Sequence, residues 1–150
     1  MKRRGAGAHT FNPGIKETIV PHAWIEYSAN IQQEPEVQAL KQTLRDAIVE
    51  AGIFPLAGVR IRAAAIDDYL VADDDPENAF VHVVLRVGAG RDEATRKKAA
   101  DGIFARITTA LARLSAAGPL AIAFEVQEMD ELLNYKANNL HDYLKRRAAA

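Results

Sequence analysis

The stretch FVHVVLRV, residues 80–87, decides the fold, because its valines and phenylalanine make it the strongest strand-forming segment of the chain. It stops at the turn Gly88-Ala89-Gly90-Arg91. Displacing the chain by sixty residues lays this strand over a second apolar stretch, PHAWIEY at residues 21–27, with His22 over His82. The sequence therefore predicts a structural unit that occurs twice.

A helix is predicted after each of these strands. The first begins with Pro35 in its opening turn and ends at Gly52, and the second runs from about Asp92 to Leu114, before Gly118-Pro119. Residues spaced by three and four predict the buried faces. These are Val37, Leu40, Leu44, Ala47, Ile48 and Ala51 in the first helix, and Ile103, Phe104, Ile107, Leu111 and Leu114 in the second.

Each helix leads into another strand, at residues 59–66 and 120–127, and residues 132–144 follow as a short hook and a small helix. The order strand, helix, strand, taken twice, predicts an α/β (α+β) domain with one four-stranded mixed sheet. The pairs within each unit are parallel, because a helix makes each crossover, and two helices cover one face.

The other face of that sheet is predicted to be covered by a partner subunit. The first strand of each unit carries apolar residues on both of its faces. Ile25 and Trp24 point to opposite faces of one strand, and Val83 and Val84 to opposite faces of the other. Since helices cover only one face, we expect a closed homo-oligomer, with residues 132–135 and the terminal helix as candidate contacts between subunits.

The composition indicates one ordinary globular domain. Of the 150 residues, 49% are hydrophobic and 26% charged, with a formal net charge of -1, so nothing favours nucleic acid as a partner. Residues 1–20 are polar and dotted with glycine, which predicts a flexible N-terminal extension before a domain at 21–150. The absence of cysteine and of any run long enough to span a membrane predicts a cytoplasmic protein.

Metal and nucleotide motifs are weak. The acidic run 73–75 lacks the glycine and distal glutamate of a calcium loop, and Glu93 stands where a dinucleotide fingerprint needs its third glycine. No metal-ligand spacing relates the four histidines, which are His9, His22, His82 and His141. We therefore expect no metal, and the turn at residues 88–91 is only a weak indication of a dinucleotide.

Three arginines are candidates for binding an anion. Alternation places Arg60 and Arg62 on one face of the second strand, where a solvated edge is the alternative interpretation. Arg91 follows two glycines at the start of a helix, where a guanidinium and backbone N–H groups favour an anion. Together they would suit a small substrate that carries several carboxylates.

Pro21 is a candidate catalytic base. As the first residue of a chain, a proline carries a secondary amine with a free lone pair. Inside a chain the same nitrogen belongs to a tertiary amide and takes no proton at any useful pH. The alternative interpretation is a proline that merely opens a strand.

Residues 21–145 contain a series of short motifs that characterise one family. They are Pro21-His22, GIFPLAGVR (52–60), Ala72-Asp73, AFVH (79–82), GAGR (88–91), Asn134-Tyr135-Lys136 and Asn138-Asn139. In these motifs and their spacing the chain resembles the 5-carboxymethyl-2-hydroxymuconate isomerases of the tautomerase superfamily. The resemblance implies a homotrimer without a cofactor, acting in the homoprotocatechuate branch of aromatic degradation on a muconate with three carboxylates. It implies Pro21 as the base, Arg60 and Arg91 as binders of substrate oxygens, and Arg62 as a secondary candidate.

One feature conflicts with the resemblance: the family's proline is the first residue, whereas Val20 precedes Pro21 here. A GTG start codon read as Val20, or proteolytic trimming, would reconcile the two. If residues 1–20 stay attached, the alternative is a non-catalytic trimer of the same fold that binds an anionic metabolite. A stand-alone regulatory ligand-binding domain is a third possibility and needs no special proline.

Overall fold

The computed structural model describes residues 21–150, so the predictions for residues 1–20, including the flexible extension and His9, lie outside the described range. Within that range the elements follow the predicted order. They are β1 (His22–Ser28), α1 (Pro35–Gln38), α2 (Leu40–Glu50), β2 (Arg60–Ile66), β3 (Ala79–Gly88), α3 (Glu93–Ala110), α4 (Ala112–Ala117), β4 (Leu120–Met129) and α5 (Leu140–Ala148).

The four strands form one mixed sheet in the order β2-β1-β3-β4. β1 is parallel to β2, and β3 is parallel to β4, whereas the central pair β1 and β3 is antiparallel. The predicted sheet, with parallel pairs inside each unit, is confirmed. The parallel pairs follow from the helical crossovers, which return the chain to the same end of the sheet before each second strand.

The helices cover one face of the sheet, as predicted. α2 packs on α3, and their buried side chains meet those of alternate residues of β1 and β3. Nine of the eleven predicted helix core positions are buried, and Ala51 is half-buried against the same cluster. The sheet contributes Ala23, Ile25, Tyr27, Val81, Val83, Leu85 and Val87 to this core.

Phe104 was predicted to face the core, and this is wrong. Its side chain is 40% exposed and stacks on Phe124 of β4, with ring centroids 6.3 Å apart. Successive helix residues point about 100° apart, so Ile103 takes the inward position and Phe104 turns towards the edge strand. Each predicted helix also divides into two segments, at Ala39 and at Leu111, where ψ lies near zero.

In residues 21–150, helices α2 and α3 leave the second face of the sheet uncovered. Except for the buried Ser28, side chains of β1 and β3 on this open face are half-buried or exposed. That a partner subunit covers this face stays a prediction. In residues 21–150, no helix combines the length and apolar character needed to cross a membrane.

Candidate active site

The strand directions bring the predicted site residues to one end of the sheet. β1 and β2 begin there, because they are parallel, and β3 ends there, because it is antiparallel to β1. His22 therefore lies between Arg60 on one neighbouring strand and Arg86 on the other. This end of the sheet, with the segments that flank it, is called the proline edge below.

Pro21 lies at the centre of the proline edge, directly before β1. Its side chain is fully buried, and its carbonyl oxygen accepts a hydrogen bond of 3.1 Å from the backbone N–H of Arg60. This bond extends the β1–β2 pairing by one residue and holds Pro21 against the start of β2. Its position is thus set by the sheet itself rather than by a loop.

Arg60 and Arg62 share the open face, as the sequence predicted. The Arg60 guanidinium lies 3.5 Å from His22 Nε2 and donates a hydrogen bond of 3.3 Å to the carbonyl oxygen of Gly58. Arg62 lies over the ring of Trp24, with 4.3 Å between its Cζ atom and the ring centroid. This cation–π contact orients a side chain that is otherwise exposed.

Arg91 approaches the proline edge from the helix-covered side. Its guanidinium donates to the carbonyl oxygens of Ile53, at 2.8 Å, and Gly88, at 3.4 Å, and lies over the Phe54 ring, with its Cζ atom 4.8 Å from the centroid. Burial lowers the pKa of Arg91. Desolvation of this kind strengthens the attraction of a guanidinium for an anion.

The turn that carries Arg91 has the local structure that its glycines and aspartate predict. Gly90 has a φ of 108°, which residues with a side chain rarely adopt. Asp92 caps α3 by accepting a hydrogen bond of 2.7 Å from the Thr95 N–H. Hydrogen bonding with Thr95 lowers the pKa of the Asp92 carboxyl.

The three predicted arginines do not form one cluster, because Arg60 and Arg62 lie on the open face of the sheet and Arg91 lies on the helix-covered side.

His22, expected to be a packing or surface residue, lies among four cationic side chains. Burial, and then the charge of Arg60, lower the pKa of its imidazole, and Arg62, Lys136 and Arg86 act in the same direction. The sequence reasoning did not select Arg86 as a site residue, because its position depends on the β1–β3 register. Lys136 was present in the motif Asn134-Tyr135-Lys136 without an assigned role.

The C-terminal segment packs onto the proline edge. Asn138 donates a hydrogen bond of 3.1 Å to the carbonyl oxygen of Ala57, and α5 packs on the 3-10 turn Leu56–Gly58 that precedes β2. Nearby, Leu132 and Tyr135 are 82% and 83% exposed. Asn138 thus anchors the C-terminal segment, which brings Lys136 near the site. Leu132 and Tyr135 of the same segment face outward.

No group of three or more histidines or carboxylates within the described part of the chain is arranged to hold a metal ion. Two of the histidines named in the sequence analysis belong to other parts of the structure. His82 lies 3.5 Å from Glu125 on the open face, and His141 belongs to α5. The chemistry of the proline edge is accordingly that of arginines, a histidine and a proline.

Solved structures show which class of protein this arrangement defines. The W0 fused 4-OT wild-type symmetric trimer shares the fold with a TM-score of 0.60 and 18% identity, over 78% of this chain and 94% of that one. At this identity the likeness shows the fold alone, and that fold is the tautomerase fold.

The particular family follows from closer similarities. Residues 21–144 match the family model for 5-carboxymethyl-2-hydroxymuconate isomerase, and the chain belongs to this family. It is 37% identical over 126 residues to the Escherichia coli 5-carboxymethyl-2-hydroxymuconate Delta-isomerase, covering 84% of this chain and all of the relative. The crystal structure of a 5-carboxymethyl-2-hydroxymuconate isomerase from Deinococcus radiodurans R1 is 36% identical, with a TM-score of 0.76 over 83% of this chain and 93% of that one.

We expect the His22 imidazole to titrate below 6.5 by NMR, because burial and four cations disfavour its charged form. Arg60→Gln should raise this pKa without restoring it fully, since burial remains. Because the pKa falls on folding, the stability that His22 contributes is present above pH 6.5 and is lost as the pH decreases.

Arg45→Gln provides the matched control, because Arg45 lies on α2 and pairs with Asp46. This change should leave the His22 titration where it is. An imidazole that titrates at 6.5 or above in the unmodified protein contradicts the electrostatic description of the proline edge.

Proposed function

We propose that the protein is a cofactor-independent isomerase that moves an allylic proton within 5-carboxymethyl-2-hydroxymuconate, in the degradation of homoprotocatechuate. The observation that carries the proposal is the family match, which begins at Pro21, the residue that the sheet holds beside Arg60. The similarity to the Escherichia coli Delta-isomerase over its whole length supports the same reaction. The bacterial relative and the cysteine-free sequence support a cytoplasmic location.

In this proposal the Pro21 nitrogen is the general base. It removes a proton from the dienol or from the carbon next to the carbonyl, and it returns that proton to a different carbon. The pair of electrons from the broken bond moves through the conjugated system, so atoms and charge balance without a redox partner. Neighbouring cations lower the pKa of an amine, which keeps the nitrogen unprotonated near neutral pH.

The arginines bind the substrate and stabilise the charge that develops on its oxygens. Arg60 adjoins Pro21 and His22, so it can reach an oxygen close to the reacting carbon. Arg91 is positioned by two carbonyl groups and partly desolvated, which suits a fixed carboxylate or carbonyl contact. Arg62 is a secondary binder on the open face.

The catalytic form begins at Pro21, with residues 1–20 as an extension outside the domain at 21–150. In the full sequence Val20 acylates the proline nitrogen, and an amide nitrogen is no base. Either initiation at codon 20 followed by loss of that residue, or proteolysis, would release the amine. The alternative is a non-catalytic trimer that binds an anionic metabolite, which the presence of Val20 favours where the extension is retained.

We expect protein that starts at Pro21 to turn over the muconate at least about 100-fold faster than the full chain, because general base catalysis contributes at least this much. Protein that starts at Val20 is the matched control, since it differs by one residue yet has an acylated Pro21 nitrogen. Stopped-flow or steady-state absorbance of the diene measures the rate. Equal turnover by the two short forms contradicts a prolyl base.

Arg91→Ala in the form that starts at Pro21 should lower kcat/KM by about 10- to 100-fold, the effect of losing one charged hydrogen bond. Arg91→Lys keeps the charge but lacks the planar guanidinium that donates two parallel hydrogen bonds, so it should give an intermediate kcat/KM. Arg45→Ala controls for net charge, and thermal unfolding controls for loss of the contacts to Ile53 and Gly88. Unchanged kcat/KM removes Arg91 from the site.

The same fold supports a homotrimer, in which partner subunits cover the open face and contact the exposed residues 132–135. Sedimentation equilibrium should then give three times the 16.4 kDa of the chain. Leu132→Ser with Tyr135→Ser should lower that mass, whereas Leu70→Ser, at a side chain 71% exposed in another loop, should not. A monomer at micromolar concentration contradicts the proposal.

A further inference from the structure

Phe54 is a buried aromatic residue to which the proposed function gives no role. It lies between α2 and β2, in the motif GIFPLAGVR, and its side chain belongs to the main core cluster. Gly52, with a φ of 75°, turns the chain just after α2, and Pro55 disfavours a helical backbone at the residue before it. The backbone therefore directs the Phe54 side chain into the helix-covered side of the proline edge.

The Phe54 ring lies against the guanidinium of Arg91. The Arg91 Cζ atom is 4.8 Å from the ring centroid, within the range of a cation–π contact. Both side chains line a cavity of about 10 Å³, which is at the lower limit for a single water molecule and is mostly apolar. Because little water can enter between the ring and the cation, their attraction is stronger than at an exposed site.

The groups that hold Arg91 are neutral. Its guanidinium donates to the carbonyl oxygens of Ile53 and Gly88, and the Phe54 ring makes the third contact. In residues 21–150 no carboxylate forms a salt bridge with Arg91. Carbonyl groups and an aromatic face fix the orientation of a guanidinium without neutralising it, so the full charge is available to an anion.

Neighbouring arginines of the helix layer are held in a different way. Arg96 lines the same cavity as Arg91 but forms a salt bridge with Glu128 of β4. Arg106, further along α3, pairs with Glu50 of α2. A guanidinium beside a carboxylate attracts a further anion less strongly, because the two charges offset each other. Of these three side chains, Arg91 is therefore the best suited to bind an anionic ligand.

We propose that Phe54 is a positioning residue for Arg91, and that its ring holds the guanidinium in the orientation in which it meets an oxygen of the substrate. Without the face of the ring, the guanidinium keeps its charge and its carbonyl acceptors but loses the contact that fixes its plane. Phe54 acts through Arg91 and makes no contact with the substrate. The role of Arg91 towards the substrate rests on the proposed function, whereas its orientation by Phe54 does not.

Ring fluorination tests the electrostatic part of this contact. Phenylalanines with increasing numbers of ring fluorines, inserted at position 54, keep an apolar ring of similar size while its face becomes less negative. In protein that starts at Pro21, kcat/KM for the muconate should fall stepwise, by about five- to tenfold for the fully fluorinated ring. The same replacements of Phe124, which stacks on Phe104, are the matched control and should leave kcat/KM unchanged. Equal losses at the two positions, or turnover that is insensitive to fluorination at position 54, overturn the positioning role while the isomerase proposal stands.

A double-mutant cycle separates positioning of Arg91 from packing of the core. In an Arg91→Ala background, fluorination at position 54 should leave kcat/KM unchanged, because the group on which the ring acts has been removed. If the loss persists in this background, the ring acts through the fold rather than through Arg91, and the inference is wrong.

Nitrogen-exchange NMR of the full-length chain gives a measurement that does not depend on turnover. Rotation about the Arg91 Nε–Cζ bond should be slower than that of Arg45, which is half-exposed on α2. The fully fluorinated ring at position 54 should make this rotation faster, whereas the same ring at position 124 should not. Rotation of Arg91 that is unaffected at position 54 contradicts the positioning role. Faster rotation in a protein without any muconate turnover supports Phe54 as the residue that orients Arg91 and removes the isomerase proposal.

Discussion

The antiparallel pairing of β1 with β3, at the centre of a sheet whose outer pairs are parallel, is the constraint on which the remaining structure depends. It brings the starts of β1 and β2 and the end of β3 to one edge. The hydrogen bond from the Arg60 N–H to the Pro21 carbonyl then holds the proline in the sheet. Backbone pairing therefore sets the positions of Pro21 and Arg60, whereas Arg91 is held by a turn that contacts Ile53.

The cations of the proline edge have two compatible effects. They favour anionic groups of a ligand, and they disfavour any additional positive charge, as the lowered pKa of His22 illustrates. An amine placed among them would lose its proton more readily, so in the proposed function the groups that hold a carboxylate also keep the base in its active form. Arg91 adds a partly desolvated guanidinium from the other side of the sheet. In the proposed function, substrate binding and base chemistry therefore depend on the same positive charges.

Much of this arrangement could be predicted from the sequence, and the failures have physical causes. The similarity between the two halves at a displacement of sixty residues, together with the helical and strand spacing of apolar residues, was sufficient to predict the element order. It also predicted the parallel pairs and most of the core. Phe104 was misplaced because α3 turns Ile103 to the centre of its buried face, which carries Phe104 about 100° round the helix to a position beside Phe124 of β4. Arg86 and Lys136 were missed as site residues because strand register and the path of the C-terminal segment are tertiary properties. Local alternation placed Arg60 and Arg62 correctly, but it carries no information about which side of the sheet Arg91 approaches.

The most direct test of the central claim is a ¹⁵N NMR titration of the Pro21 nitrogen in protein that starts at this residue. The nitrogen should titrate as an amine at or below the ordinary range of α-amino groups, about 8, because Arg60 and its neighbours disfavour protonation. In the full-length chain the same nitrogen should show no titration. A Pro21 amine that remains protonated well above that range would contradict its assignment as the base.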